Sequence, residues 1–185
     1  MTDIEAFTGG NVVVRPRGES DIPQAAAGLV KVHSTDGYPV EGVSQPEAWL
    51  TPPGMLNAWV AEISGSIVGH VAVSSPTGED AVSMWLDLSH ESEDKVGVLA
   101  RLFVVREARR RAVGESLVLA VMDYARSDGI RLVLDVMVKD SSAIRLYERL
   151  GWIRLGTAIH AFGDDQQTEA ICYVSPDPQT SVDRG

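Results

Sequence analysis

The chain has 185 residues, 44% of them hydrophobic and 23% charged, which fits one globular core and excludes disordered, collagen-like and fibrous classes. The net charge of −10, from 16 Lys+Arg against 26 Asp+Glu, argues against a general nucleic-acid binder; the single Cys172 excludes an intramolecular disulfide and a cysteine zinc cluster, and four scattered histidines leave no metal expected. No apolar run approaches the ~18 residues of a membrane span, and Met1-Thr2-Asp3-Ile4-Glu5 lacks the basic and apolar regions of a signal peptide, so a cytoplasmic protein with no membrane partner is expected.

Residues 1–11, which contain Gly9-Gly10, are expected to be a flexible start, and the polar, proline-punctuated residues 175–185 a flexible tail around one domain at 12–174. Val12-Val13-Val14-Arg15 is β-branched and ends at Pro16, and Ser20-Asp21 before Ile22-Pro23 caps a helix reaching about His33. Gly37-Tyr38-Pro39 breaks that helix, and Pro46 to Leu50 reads as a further short one. Leu56 to Ile63 and Ile67 to Ser75 form the clearest hairpin, joined through Ser64-Gly65-Ser66. Asp80 to Leu88 is read as a short helix, Ser89 to Lys95 as an acidic loop, and Val98 to Val105 as a strand interrupted only by Arg101.

Leu117, Val118, Val121, Met122 and Ala125 recur at helical spacing after Gly114, up to Asp128-Gly129. Ile130 to Val138 is then almost unbroken aliphatic sequence, the habit of a strand buried on both faces and paired in parallel. Ser142 to Leu150 is a helix stopped by Gly151, and Trp152 to Ile159 and Thr168 to Val174 close the sheet around Gly163-Asp164-Asp165. The order predicts an α/β single domain with a mixed sheet of about seven strands flanked by helices.

Charge is distributed unevenly along this pattern. Lys95 to Arg154 holds 12 of the 16 basic residues and only 7 of the 26 acidic ones. The densest part, Arg109-Arg110-Arg111-Ala112-Val113-Gly114-Glu115-Ser116, stands between a strand and a helix start. There unpaired amides and a partial positive charge favour an anion, and small residues allow it close. It is neither a Walker sequence nor GxGxxG, which leaves a pyrophosphate cradle of another kind or a plain exposed arginine run.

Arg109-x-x-Ala112-x-Gly114 resembles the Gln/Arg-x-x-Gly-x-Gly/Ala signature of the GNAT superfamily of acyl-CoA-dependent N-acyltransferases. Arg101-Leu102-Phe103-Val104 resembles its fourth strand, and Asp140-Ser141-Ser142-Ala143-Ile144-Arg145-Leu146-Tyr147-Glu148-Arg149-Leu150-Gly151-Trp152 its Asn-x-x-Ala-x-x-Leu-Tyr-Glu-x-x-Gly-Phe segment. The resemblance implies acetyl-CoA as acyl donor and an amine as acceptor. The main chain of Leu102, Phe103 and Val104 would meet the pantetheine arm. Arg109, Arg110, Arg111, Ala112, Val113, Gly114, Glu115 and Ser116 would surround the pyrophosphate, and Asp140, Ser142 and Ala143 would lie near the cofactor. Tyr147 would serve the departing thiolate, although a tyrosine beside Ile144, Leu146 and Leu150 also fits plain packing. A homodimer is expected only because many members pair.

Three positions depart from the family: Ala112 for the first glycine, Asp140 for asparagine, and Val98 where lysine-acetylating members carry a glutamate base. Glu62, His70, Asp87, His90 and Glu91 are the other candidates for taking the amine proton, with His70 read as a buried core residue. Arg101 and Asp135, which interrupt the central strands, are expected to pair with each other. Tyr38, Glu41 and Trp49 would suit an amine as an aromatic and acidic wall, and Cys172 is expected to pack rather than react. Together these features predict an acetyl-CoA-dependent N-acetyltransferase for a small cationic amine; acetylation of a protein N-terminus or lysine, a non-catalytic acyl-CoA sensor, and a generic nucleotide-binding domain are the alternatives.

Overall fold

A computed structural model describes residues 10–162 and 166–178. The strands are β1 (Val12–Pro16), β2 (Met55–Ile63), β3 (Ser66–Ser74), β4 (Val96–Val104), β5 (Arg131–Met137), β6 (Ile153–Phe162) and β7 (Gln166–Val174). The helices are α1 (Ile22–Asp36), α2 (Pro46–Leu50), α3 (Asp80–Ser89), α4 (Val113–Asp128) and α5 (Ser141–Arg149). The strands form the expected mixed seven-stranded sheet, in the order β1-β2-β3-β4-β5-β7-β6. The expected turn Gly163-Asp164-Asp165 lies outside the described residues, as do most of the expected flexible start and the end of the tail. No helix among the described residues is long and apolar enough to cross a membrane.

The chain divides into two compact units, Met1–Ser74 with Ala100–Val121, and Ser75–Leu99 with Met122–Gly185. In the first, β2 runs antiparallel to β1 (Val14↔Ala61) and to β3 (Trp59↔Val71). The β2–β3 loop is two residues long, with φ of 50° at Ser64 and 80° at Gly65, the left-handed pair that matches strand twist in a tight hairpin. Ala25, Ala26, Leu29 and Val32 bury one stripe of α1, and its Gly28 brings the helix against Val105 and Phe103. Val113, Leu117, Val118 and Val121 do the same for the first half of α4.

In the second unit the first half of β4 pairs with β5 in parallel (Val96↔Arg131, Val98↔Val133), as the doubly buried pattern of β5 predicts. β5 then pairs antiparallel with β7 (Asp135↔Cys172), and β7 with the edge strand β6. Helix α3 drops Ala81 and Val82 onto Val96, Val98, Val133, Cys172 and Val174. Ser175, read from sequence as the first tail residue, is buried and tied to β5: its amide donates to the Leu132 carbonyl at 2.8 Å and its hydroxyl accepts from the Leu132 amide at 3.1 Å.

At Gly69 in β3 an added Cβ would meet Leu117 Cδ1 at 3.0 Å and both Phe103 O and Val113 Cγ1 at 3.1 Å. Gly69→Ala is therefore expected to cost about 1–3 kcal/mol by overpacking, read as a lower urea midpoint at unchanged slope. An unchanged midpoint would show that α4 yields freely there.

Candidate functional site

The strand-to-helix junction forms in the first unit. After β4 a short 3-10 turn (Arg106–Ala108) tucks in the fully buried Ala108, and the chain passes through φ of 63° at Arg110 and 56° at Ala112 before α4 begins. The first bond of the helix runs from Ser116 N to Ala112 O, so the amides of Val113 and Gly114 have no acceptor inside it. Left-handed conformation at a residue with a Cβ costs roughly 1–2 kcal/mol, which accounts physically for the glycine preferred by the resembled signature at position 112. The chain keeps the conformation and adds a methyl.

Asp36, Arg106, Arg109 and Arg110 line a pocket of about 460 Å³ beside this turn. Arg109 bonds to Asp36, the last residue of α1, and reaches the Val104 carbonyl at 3.3 Å. The Arg109 guanidinium holds the Asp36 carboxyl below the usual carboxylate range, so one arginine is fixed in place while the pocket keeps a cationic lining. Asp36 carries no local signal in the sequence, since it lies 73 residues from its partner. Arg111 is held differently, donating to the Gly10 carbonyl.

A second polar group joins Arg17, just after β1, His70 of β3 and Arg101 of β4, again within the first unit. His70 is fully buried; its Nδ1 is 2.9 Å from the Arg101 carbonyl, and its Nε2 is 2.9 Å from Arg17 Nη1. A guanidinium only donates, so Nε2 accepts and Nδ1 carries the proton, which fixes one neutral tautomer. Burial pushes the His70 pKa down to about 4. The expected core histidine is thus observed, and its acceptor nitrogen is already occupied.

Arg101 adopts φ of 56° inside β4 and lays its guanidinium 5.0 Å from the Trp49 ring centre, with Nε donating to the Trp49 carbonyl at 2.6 Å. Tyr38 packs edge-on against Trp49 at 5.8 Å. The cation on this aromatic wall is therefore the protein's own. The expected Arg101–Asp135 pair is corrected by these contacts: Arg101 turns to Trp49, while Asp135 accepts from the Ala81 amide at 3.2 Å and lies 3.0 Å from His160 Nε2. Burial pulls the Arg101 and Arg17 pKa values down and pushes that of Asp135 up.

In the second unit Tyr147 is 4% exposed, with Trp152 at 5.4 Å and Tyr173 at 6.3 Å between ring centres. Asp140 occupies the N-cap position of α5 without a side-chain capping bond; its carbonyl accepts from Ile144 N at 3.1 Å. Ser142 accepts from Arg145 at 3.3 Å, and Ala143 is half-buried. Asp80, Asp135 and His160 place ligand atoms within 4.8 Å of one another, a grouping drawn from three elements that sequence spacing does not reveal. Burial and the nearby Asp135 push the Cys172 thiol up to about 12, so it packs as an inert group. Of the remaining proton acceptors, Glu62 is paired with Arg15, Glu91 accepts from Trp85, and Asp87 and His90 are exposed on or after α3.

The model of the acetyltransferase (GNAT) family matches residues 27–152, and the chain belongs to that family. It is 33% identical over 95 residues to a Xenopus tropicalis protein named "Probable N-acetyltransferase camello", a match that covers 51% of this chain and 37% of the frog protein. It is 30% identical over 105 residues to "Uncharacterized N-acetyltransferase MJ1207" of Methanocaldococcus jannaschii, covering 56% of this chain and 42% of that one. The chain thus spans less than half the length of these curated relatives. Among solved structures, an N-acetyltransferase from Staphylococcus aureus Mu50 superposes with a TM-score of 0.67 at 16% identity, covering 89% of this chain and 97% of that one. Arabidopsis thaliana NAA60 in complex with acetyl-CoA gives the same TM-score of 0.67 at 18% identity, with coverage of 89% and 97%. These likenesses show the α/β GNAT fold.

The neutral His70 yields a pH prediction. Below about pH 6.5 an unfolded chain takes up a proton that the folded one refuses until about 4, so stability falls with pH through that window, by about 2 kcal/mol between pH 7 and 5. Urea unfolding of the wild type and of His70→Gln at both pH values should show this extra loss only in the wild type. Equal losses would place a charged imidazole in the fold.

Proposed function

We propose that this member of the GNAT family is an N-acetyltransferase that moves an acetyl group from acetyl-CoA to an acceptor amine by direct attack. The observation that carries the reading is the cationic left-handed turn at Arg109–Gly114 opening onto the start of α4, inside a family match that runs through residues 27–152. Amides at a helix start together with arginines are the donor set that a pyrophosphate requires. Arg109 and Arg110 supply charge, and the main chain of Val113 and Gly114 supplies directed N–H groups. Leu102, Phe103 and Val104 offer the strand main chain along which a pantetheine arm would lie.

The chemistry asks little covalent work of the protein. The amine nitrogen attacks the thioester carbonyl carbon, the carbon–sulfur bond breaks, and the thiolate of coenzyme A leaves and takes up a proton. The chain's contribution is to position the partners and to manage two protons. Tyr147 is the residue we assign to the thiolate, on the strength of its motif; its packing against Trp152 and Tyr173 holds the ring in one orientation. Val98, which stands at the position of the lysine-acetylating glutamate, is buried among apolar side chains, and this speaks against transfer of that mechanism. A non-catalytic acyl-CoA sensor is favoured by one observation, the Ala112 methyl on the phosphate turn.

The small cationic acceptor expected from net charge has weaker support than the donor. Arg101 and Arg17 stand where an acidic wall was expected, and Glu41 is exposed and forms no ion pair with Arg101.

Thiol release from acetyl-CoA across a panel of amines and peptides tests the reading, and release with matching N-acetylated product is the expected result. Arg109→Ala should raise KM for acetyl-CoA by about tenfold or more, while Tyr147→Phe should lower kcat by about tenfold or more with KM little changed. Tight binding without release would select the sensor, and unaltered kinetics in both variants would undo the residue assignments.

A further inference from the structure

Two half-buried guanidiniums in the first unit, those of Arg17 and Arg101, have no direct ion pair among the described residues. Arg17 spends Nη1 on the Leu50 carbonyl at 2.7 Å and on His70, and its Nη2 meets only the Met55 sulfur at 3.8 Å. Arg101 spends Nε on the Trp49 carbonyl. Neither forms an ion pair among the described residues; the carboxylate of Asp21 acts on Arg17, and the phenol of Tyr38 and the exposed carboxylate of Glu41 act on Arg101, only through space. Holding two partly desolvated cations without a directly bonded carboxylate is costly, and burial already lowers both pKa values.

The plain structural reason for these residues is that they cap adjacent carbonyls at the end of α2. That role uses one of the five N–H donors of Arg101 and leaves its terminal fork, Nη1 and Nη2, with no partner among the described residues. The guanidinium carbon lies over the Trp49 ring, 5.0 Å from its centre, and Trp49 is met edge-on by Tyr38. A planar fork held rigidly beside an aromatic ring is the geometry that binds a carboxylate through two parallel hydrogen bonds. The left-handed φ of Arg101 points the same way, since strain of this kind inside a strand persists where the surroundings demand a particular side-chain direction.

The position relative to the donor follows from the reading given above, on which this inference rests. With phosphates at Arg109–Gly114 and the arm running back along Val104, Phe103 and Leu102, the next residue along β4 toward the acyl end is Arg101. We infer that Arg101, supported by Arg17, binds the carboxylate of the acceptor, and that the acceptor is an amine carrying a carboxylate, of the amino-acid class. Trp49 and Tyr38 then border its side chain. Arg101 is a specificity-determining residue in this account, and the surplus cation replaces the acidic wall that an unadorned polyamine would need.

The test compares matched acceptors that differ only in the carboxylate: phenylalanine against 2-phenylethylamine, and leucine against isoamylamine, each with saturating acetyl-CoA. The expected result is a kcat/KM higher for the acid-bearing member of each pair by about tenfold or more, the range of a charged hydrogen bond. In Arg101→Gln the ratio within each pair should fall toward one, Arg101→Lys should retain part of it, and Arg17→Gln should reduce it. A general loss of folding lowers both members of a pair and leaves the ratio alone. Equal or reversed preference in the wild type, with transfer intact, overturns the inference and leaves acetyl transfer standing. If acetyl-CoA binds and no member of the panel is acetylated, N-acetylphenylalanine and N-acetyl-2-phenylethylamine are titrated into the coenzyme A complex; tighter binding of the former supports the inference, and equal or absent binding overturns it. Failure to bind acetyl-CoA at all overturns the proposed function and this inference with it.

Discussion

Strand β4 is the constraint on which the rest depends. It pairs with β5 over Val96–Val98 in one compact unit, contributes Ala100–Val104 to the other, and within the second stretch passes through a left-handed residue at Arg101. A strand in regular conformation would point alternate side chains to fixed faces throughout; one residue with φ of 56° breaks that alternation. The conformation costs of the order of 1–3 kcal/mol and is stabilised by what Arg101 reaches. Its carbonyl meets the protonated nitrogen of His70, and its guanidinium meets the carbonyl and ring of Trp49. Downstream, the same strand delivers the chain to the turn at Arg109–Gly114 and to the start of α4.

Charge is handled in two ways along this path. At the turn before α4 Arg109 and Arg110 are exposed and Arg111 is half-buried; Asp36 steadies Arg109, and solvent screens the exposed pair. Around His70 the guanidiniums are half-buried and meet carbonyls, an imidazole and a thioether instead of carboxylates. Keeping His70 neutral is what makes this arrangement tolerable, because an imidazolium between two arginines would add a third buried cation. Of the acidic residues, Asp21 acts on Arg17 and Glu41 on Arg101 through space, without an ion pair to either.

Much of the fold was legible in the sequence because its signals are local. The aliphatic run at Arg131–Met137, the helical spacing from Leu117 to Ala125 and the Ser64-Gly65 turn each determine one element from residues close in the chain, and parallel pairing of β4 with β5 followed from the doubly buried pattern. The cationic turn before α4 was legible as a strand-to-helix junction too, since its arginines and small residues are contiguous. Side-chain partners were not. Asp36 and Arg109 are separated by 73 positions, and Asp80, Asp135 and His160 come together from a helix and two strands. The expected Arg101–Asp135 pair rested on two charges interrupting neighbouring strands; it overlooked the left-handed turn of β4 at Arg101, which periodicity cannot signal.

The most direct measurement is calorimetric titration of the purified protein with acetyl-CoA, with ATP and NAD as competitors for a generic phosphate cradle. The account predicts saturable binding of acetyl-CoA that neither nucleotide matches, because in the proposed reading the strand before the turn takes the pantetheine arm, which ATP and NAD lack. Binding of ATP or NAD as tight as that of acetyl-CoA, or no binding of acetyl-CoA, would contradict it.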